Sequence, residues 1–418
     1  MANMNRREFI KILGVSAVAS TMPTFAGAKV PHIVVVGAGF AGATCAKYLK
    51  LWGGNSIDVT IIEPNRNYVS PILSNLILNS QKSISDITFS YDSYANRYKI
   101  NMVYKSVVNI DADLKELTLN NGFKIRYDKL VLAPGIDFVK SNNYDFAKVP
   151  HAWIAGEQTT LLKQQIDSMS DGDSFVMTIP KSPYRCPPGP YERACVVADY
   201  LKNLKGFANA KVIVLDENSD IIVEKENFLN AFNKHGVDYR PNCKVTYVDD
   251  ATKTLNYLEN GTSKSITAKV LNVIPNQKAA KLIFDANLDG GNNFAPVNLL
   301  TYESTIKSDI HIIGDSHKSS QPRAGHIANS EAKVCADAIL RALNNIAPYP
   351  NPKTNSACYS PTSSTEASWL SAVYRYDAAT NNMVLTDPNY YPKSAPSSAK
   401  NYKDMFKWSG NLFADTFS

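Results

Sequence analysis

An unbroken apolar run, His32-Ile33-Val34-Val35-Val36, lies near the start of the chain, and its lack of alternation predicts a strand buried on both faces. Gly37-Ala38-Gly39-Phe40-Ala41-Gly42 follows, and Ala43, Cys45, Ala46 and Leu49 then recur at helical spacing. A second apolar stretch from Ile57 to Ile62 completes a strand–helix–strand unit. Similar short strands are expected at Tyr127–Leu132, Ser174–Ile179, Lys211–Leu215 and His311–Ile313, with helical runs over about Tyr191–Lys205 and Ile327–Leu340. Strands alternating with helices in this way predict an α/β protein with parallel sheets.

The first unit carries the clearest chemistry. Gly37, Gly39 and Gly42 form a GxGxxG pattern between a strand and a helix, and the next strand ends at Glu63, suited to accept hydrogen bonds from a ribose. The glycines let a pyrophosphate approach the backbone, where the helix N-terminus offers N–H groups. Two distant segments point to FAD rather than NAD. Tyr127–Gly135, ending in Ala133-Pro134-Gly135, resembles the strand and turn that close the FAD domain of the glutathione-reductase-like superfamily, and His311-Ile312-Ile313-Gly314-Asp315 resembles its second FAD fingerprint. That resemblance implies that Asp315 binds the ribityl chain and that the following helix points its N-terminus at the flavin, where a positive end favours the anionic reduced form.

The expected organisation is two Rossmann-like dinucleotide-binding domains, the second inserted in the first: an FAD domain over 29–142 and 268–343, and an NAD-binding-like domain over 143–267. A Pro-, Ser-, Asn- and Tyr-rich C-terminal region, 344–418, follows as a flavin- or partner-interface domain. Residues 1–28 read as a twin-arginine export signal. Arg6 and Arg7 precede an apolar stretch from Ile12 to Met22, too short to span a membrane, and a cleavage-like Ala26-Gly27-Ala28. Periplasmic location is therefore expected. The formal charge of +6 falls to +4 without this segment, because three cations and one anion leave with it, and so weak a bias gives no reason to expect nucleic acid binding. No later stretch is long enough to be a transmembrane span.

Six cysteines, at 45, 186, 195, 243, 335 and 358, are too scattered for a disulfide scaffold, and without CxxC or CxxCH neither a metal site nor covalent haem is expected. Cys45, Cys195 and Cys335 read as helix-packing residues and Cys243 as a loop residue. Cys186 is different. It stands in Tyr184-Arg185-Cys186-Pro187-Pro188-Gly189-Pro190-Tyr191-Glu192-Arg193, where a second glycine loop would bind a nicotinamide nucleotide, and just ahead of a helix whose dipole is expected to favour thiolate.

These residues give the mature chain a specific likeness. It resembles the flavoprotein subunit of flavocytochrome c sulfide dehydrogenase, through Ile62-Glu63-Pro64-Asn65, Leu73-Ser74-Asn75, Pro150-His151-Ala152-Trp153, Tyr184–Arg193, Asn272-Val273-Ile274-Pro275, Ala328-Asn329-Ser330 and Cys358-Tyr359-Ser360. The resemblance implies that Cys186 and Cys358 form a redox-active disulfide beside FAD. Sulfide attacks it, and electrons pass to the flavin and on to a haem-bearing c-type cytochrome partner. It implies a proton-moving role for Glu192, whose other reading is favourable charge at a helix N-terminus, and a position near the flavin for Trp408, which core packing would also explain. Many members tether FAD through a cysteine where this chain has Pro71, so non-covalent FAD is expected. A structural staple remains the alternative for the disulfide; closing so long a loop would stabilise the chain by roughly 5 kcal/mol. A sulfide:quinone reductase touching a membrane through Met405, Phe406, Trp408, Leu412 and Phe413, or a non-catalytic accessory flavoprotein of a sulfur-oxidising complex, remain alternatives for the function.

Overall fold

A computed structural model describes residues 29–418; the export signal read over 1–28 lies outside the described residues. Along the chain, the elements that build the site begin with β1 (His32–Val36), α1 (Phe40–Gly53), β2 (Asp58–Ile62), a short α2 (Asn75–Leu78), β3 (Asn101–Val103) and β4 (Lys129–Leu132). Then come β5 (Ser174–Ile179), α3 (Gly189–Asp199), β6 (Lys211–Asp216), α4 (Lys225–His235), β7 (Val237–Arg240) and β8 (Val270–Val273). β9 (Ile310–Ile312) and α5 (Gly325–Leu343) follow, and β10 (Lys353–Pro361), β11 (Ala367–Asp377), β12 (Asn382–Leu385), β13 (Lys393–Ser398) and α6 (Ala399–Phe417) complete the set.

The α/β class expected from the pattern is the class observed. β9, β4, β1, β2 and β3 run parallel in that order, and a short antiparallel hairpin, Val297–Asn298 with Glu303–Ser304, extends the sheet beyond β9. β1 is central and buried, which is why its sequence lacks alternation. A second sheet, β7-β6-β5-β8, is also wholly parallel. β5 buries both of its faces: Phe175, Met177 and Ile179 pack toward α3 and α4, while Val176 packs with Ile213, Leu271 and Leu255 on the other side.

Three strands, Cys243–Asp249, Thr254–Glu259 and Thr262–Thr267, form an antiparallel meander against that other side. Cys243 opens the first of them and is buried, so the loop position expected for it is corrected. It is a small apolar residue at the edge of a satellite core. Cys45, Cys195 and Cys335 are buried in α1, α3 and α5, as read.

The composition shift at residue 344 marks a change of sheet. β10, β11 and β12 pair antiparallel in order, and β13 pairs with β11. α6 then returns to α1. Ser398 caps it by accepting from the Asn401 N–H, and Leu412, Phe413 and Phe417 join the core of the first sheet. Lys47 on α1 donates to the carbonyls of Ala414, Asp415 and Ser418, satisfying acceptors that a helix end leaves open. Met405, Leu412 and Phe413, held open as membrane contacts, are thus the buried face of a packed helix, with Phe406 and Trp408 partly buried. Among the described residues no helix is long and apolar enough to cross a membrane.

Candidate functional site

The glycine loop is shaped by backbone contact. Gly37 has a φ of +91°, and a Cβ there would lie 2.5 Å from the Ala133 carbonyl; one on Gly42 would lie 1.9 Å from the Gly37 carbonyl. No side chain caps the helix that starts after Gly39, so its first N–H groups remain available. Glu63 accepts from the Ala38 N–H at 3.0 Å and from Asn65, which fixes its carboxylate at the end of β2. Across the sheet, Gly135 follows Pro134 in the turn after β4, and its carbonyl accepts from Ser316 and from the Ala280 N–H. Gly314 donates to Glu331, and Arg185 stands 3.7 Å from Asp315. α5 likewise begins without a side-chain cap. Two uncapped helix ends, a glycine cradle and an acid at a strand end fit a dinucleotide cofactor such as FAD.

Where the Pro71–Asn75 segment, the loop before α3, the start of α5 and the middle of β10 face one another, a cavity opens whose space, mouth included, is about 830 Å³. Cys186, Glu192, Cys358, Trp408 and Pro71 all line it. Five residues spread over nearly the whole sequence therefore meet at one wall. Cys186 comes from the loop between β5 and α3, Cys358 from the middle of β10, and Trp408 from α6. The Trp408 indole N–H and the Ala357 N–H both donate to His326 Nδ1, at 3.3 and 3.0 Å, so the imidazole proton sits on Nε2. Trp153 Nε1 and Gln277 Nε2 are buried donors with no partner among the described residues, and Gln277 also accepts from the Arg185 N–H. They leave donors open for an acceptor-bearing ligand.

Cys186 is held in a strained conformation. Its φ is +56°, its N–H donates to the Arg323 carbonyl at 2.7 Å, and its carbonyl accepts from the Gly189 N–H. A Cβ on Gly189 would lie 2.9 Å from the Cys186 sulfur, so that position tolerates only glycine. Leu73 and Ala152, on the same cavity, also have positive φ. Such outliers persist only where surroundings over-determine them.

The expected thiolate is corrected by the surroundings. Burial pushes the Cys186 thiol well above the ordinary cysteine range, and Cys358 and Glu192 add to it against the weaker opposing pull of Arg185. Desolvation thus outweighs the helix dipole. Burial likewise raises Cys358 to about 12, helped by Glu224 and Glu192. Both are free thiols in this structure, as are the other four cysteines. Glu192 is itself pushed up to about 8 by burial, opposed by the bond from Asn75 and by Arg193. It is therefore mostly protonated at neutral pH and titrates where a proton carrier should.

Arg193 is the residue that sequence reading left without a role. Only 2% exposed, it donates through Nε to Asn75 Oδ1 at 3.0 Å, through Nη1 to the His151 carbonyl and Asn272 Oδ1 at 2.9 Å each, and through Nη2 to the Ala152 carbonyl. Asn75 passes this on by donating to Glu192 at 2.9 Å. The available signal was a lone cation, beside Glu192, in a run that is otherwise small or apolar, Tyr191-Glu192-Arg193-Ala194-Cys195-Val196-Val197.

The β5–α3 loop, Pro180 to Pro188, is built unlike the glycine loop. Pro180, Pro183, Pro187 and Pro188 have no N–H, and the N–H groups of Ser182, Arg185 and Cys186 already donate to Asn218, Gln277 and Arg323. Buried Asp216, at the end of β6, accepts from Tyr191, Tyr239 and Asn218. Few donors remain there for a pyrophosphate.

Residues 159–275 match the family described as the central region of the sulfide dehydrogenase (flavocytochrome c) flavoprotein chain, and residues 31–170 match the pyridine nucleotide-disulphide oxidoreductases. The NADH-rubredoxin oxidoreductase of Clostridium acetobutylicum is 33% identical over 127 residues, which is 30% of this chain and 31% of that protein, so the chain spans under a third of that relative's length. Among solved structures, the sulfide:quinone oxidoreductase of Aquifex aeolicus superposes with a TM-score of 0.77 at 15% identity, over 93% of this chain and 92% of that one. NDH2 of Plasmodium falciparum, solved with NADH, gives 0.70 at 12% identity, over 93% and 98%. At these identities the likeness is one of fold. The matches thus give a fold with two dinucleotide-binding-like sheets, a first part similar to the pyridine nucleotide-disulphide oxidoreductases and a central part similar to the sulfide dehydrogenase flavoprotein chain.

The Arg193 network generates a prediction. Arg193→Met should lower stability by about 3–5 kcal/mol, since it leaves two asparagine oxygens and the Ala152 carbonyl buried without a donor. Arg193→Lys should recover less than half, because an ammonium lacks the planar fork. Urea unfolding measures both, and a Met variant within about 1 kcal/mol of wild type would refute the bracing role.

Proposed function

We propose that this flavoprotein oxidoreductase, with a central region of the sulfide dehydrogenase flavoprotein family, oxidises sulfide at a Cys186–Cys358 pair and passes the electrons through FAD to a c-type cytochrome. We propose further that it works in the periplasm, to which residues 1–28 direct it. The observation that carries this reading is the meeting of Cys186, Cys358 and a proton-holding Glu192 at one cavity that the start of α5 also lines. None of the other four cysteines lines that cavity.

In the oxidised pair, hydrosulfide attacks one sulfur. A new S–S bond forms as the old one breaks, leaving a persulfide on one cysteine and a thiolate on the other. The thiolate appears in a pocket that disfavours it, and Glu192 supplies the proton it needs, then takes it back when the pair reoxidises. Arg193 holds Glu192 through Asn75 and, with the Ala152 carbonyl, keeps the opposite wall in place. Bound FAD would take up the electron pair and release it one electron at a time to haem. Gly37, Gly39, Gly42, Glu63, Pro134, Gly135, Gly314 and Asp315 would hold it, and Pro71 offers no thiol for a tether.

The quinone alternative is less favoured, because Met405, Leu412 and Phe413 of the set that was to touch a membrane are buried, while Phe406 and Trp408 are partly so. The accessory alternative needs the same thiols without turnover, and sulfide-dependent reduction of cytochrome c distinguishes it.

If the pair is the electron relay, Cys186→Ser and Cys358→Ser keep FAD but lose flavin bleaching by sulfide by at least about 100-fold in stopped flow. Variants that melt early yet bleach at near-normal rates would assign the pair to a structural staple instead. NADH and NADPH should leave the flavin oxidised over minutes, given the donor-poor Pro180–Pro188 loop; rapid bleaching by either would refute that reading of the second sheet. Acid or heat denaturation should release the flavin into the supernatant. Flavin retained by the precipitate would locate a tether elsewhere.

A further inference from the structure

The second sulfur has a carboxyl of its own. Glu224 precedes α4 as its N-cap residue but does not cap it with its side chain; its φ is +49°, another left-handed non-glycine position. The side chain turns instead to the C-terminal sheet. Ser360 Oγ on β10 donates to Glu224 Oε2 at 3.3 Å, and the Ser368 hydroxyl, directly opposite Ser360 on β11, bonds the same carboxyl. Both serines are fully buried. Asn227 Nδ2 lies 3.5 Å from Oε1.

No salt bridge reaches Glu224 among the described residues, and neighbouring Lys225 pairs with Asp220. Cys358 and Ser360 share one face of β10, since side chains alternate along a strand. Glu224 therefore stands behind Cys358 as a partly buried carboxyl without a counter-ion. The titratable groups that feel one another here are Cys358, Glu192 from α3, Cys186 from its loop and Tyr374 from β11. After burial itself Glu224 acts most strongly on Cys358, which also feels Glu192, whereas Cys186 feels Cys358 and Glu192 but not Glu224. Burial raises Glu224 above the usual carboxylate range as well.

Resting on the thiol-pair reading above, we infer that Glu224 is the proton-holding group for Cys358, as Glu192 is for Cys186, and acts on it through the hydroxyl-lined face of β10 and β11. When Cys358 is the departing sulfur, its thiolate takes the proton of the Glu224 carboxyl. One S–H bond forms and one O–H bond breaks, and the carboxylate, which is not fully buried, recovers a proton from solvent. Each sulfur then has its own proton source, and the pair can open at either end without leaving a charge buried.

The test reads the sulfurs directly. In the reduced holoprotein, the alkylation rate of Cys358 by iodoacetamide is followed against pH by peptide mass spectrometry. At the pH where the thiol ionises, Glu224 is a carboxylate and repels a second negative charge, so Glu224→Gln should lower the Cys358 midpoint by about one pH unit and leave the Cys186 midpoint in place. Glu192→Gln should move the Cys186 midpoint. Flavin bleaching by a thiol donor, here dithiothreitol, should fall about ten-fold in Glu224→Gln. Glu224→Ser keeps an N-cap residue and serves where the Gln variant folds poorly. An unmoved Cys358 midpoint overturns the inference, as does an equal shift at both cysteines. Alkylation requires no sulfide turnover, so failure of sulfide to reduce the protein would sink the proposed substrate and leave this assignment standing.

Discussion

One buried guanidinium holds the site together. Arg193 satisfies its donors on a loop (His151 and Ala152), a short helix (Asn75) and a strand (Asn272), and its guanidinium lies 5.1 Å from the centre of the Trp153 ring. A buried cation is costly unless every donor is matched, and this one is pushed down only to about 10 because Glu192 and Cys186 offset its burial. The matched geometry is what pins segments that carry strain. Ala152, whose carbonyl Arg193 bonds, and Leu73, two residues before Asn75, sit in left-handed conformations, and so does Cys186, seven residues before Arg193. The cavity wall is thus an assembly around one charge.

That assembly sets an unusual electrostatic balance for two cysteines. Reactive thiols commonly sit beside cations or at helix ends that stabilise thiolate. Here burial and carboxyl groups dominate, so the thiol form is favoured and an isolated thiolate is not. The same low-dielectric setting that raises the thiols also raises Glu192 to about 8. In the proposed reaction, proton movement would accompany electron movement, because burial disfavours a charge on either sulfur.

The two parallel sheets continue into loops of opposite construction. After β1 comes a loop of glycines with an uncapped helix, so backbone donors face outward. After β5 comes a loop in which prolines remove N–H groups and the remaining donors are used internally. Tyr191 and Asp216 then fill the space with their own hydrogen bond.

Much of this was legible in the order of residues. Unalternating runs at 32–36 and 174–179 announced strands buried on both faces, and glycines that a Cβ would push into a carbonyl announced the cradle, because both are local demands of backbone and burial. The segment around Cys186 carried its own signature. What the sequence left undecided needed distance. Arg193 gained its role only when Asn75, Ala152 and Asn272 converged on it from three separate parts of the chain, and Glu224 only when β10 and β11 brought two serines to it. The thiolate expected from a helix dipole failed for the same reason. A dipole can be read from the next ten residues, but desolvation depends on everything that packs around the sulfur, and only the tertiary structure determines that.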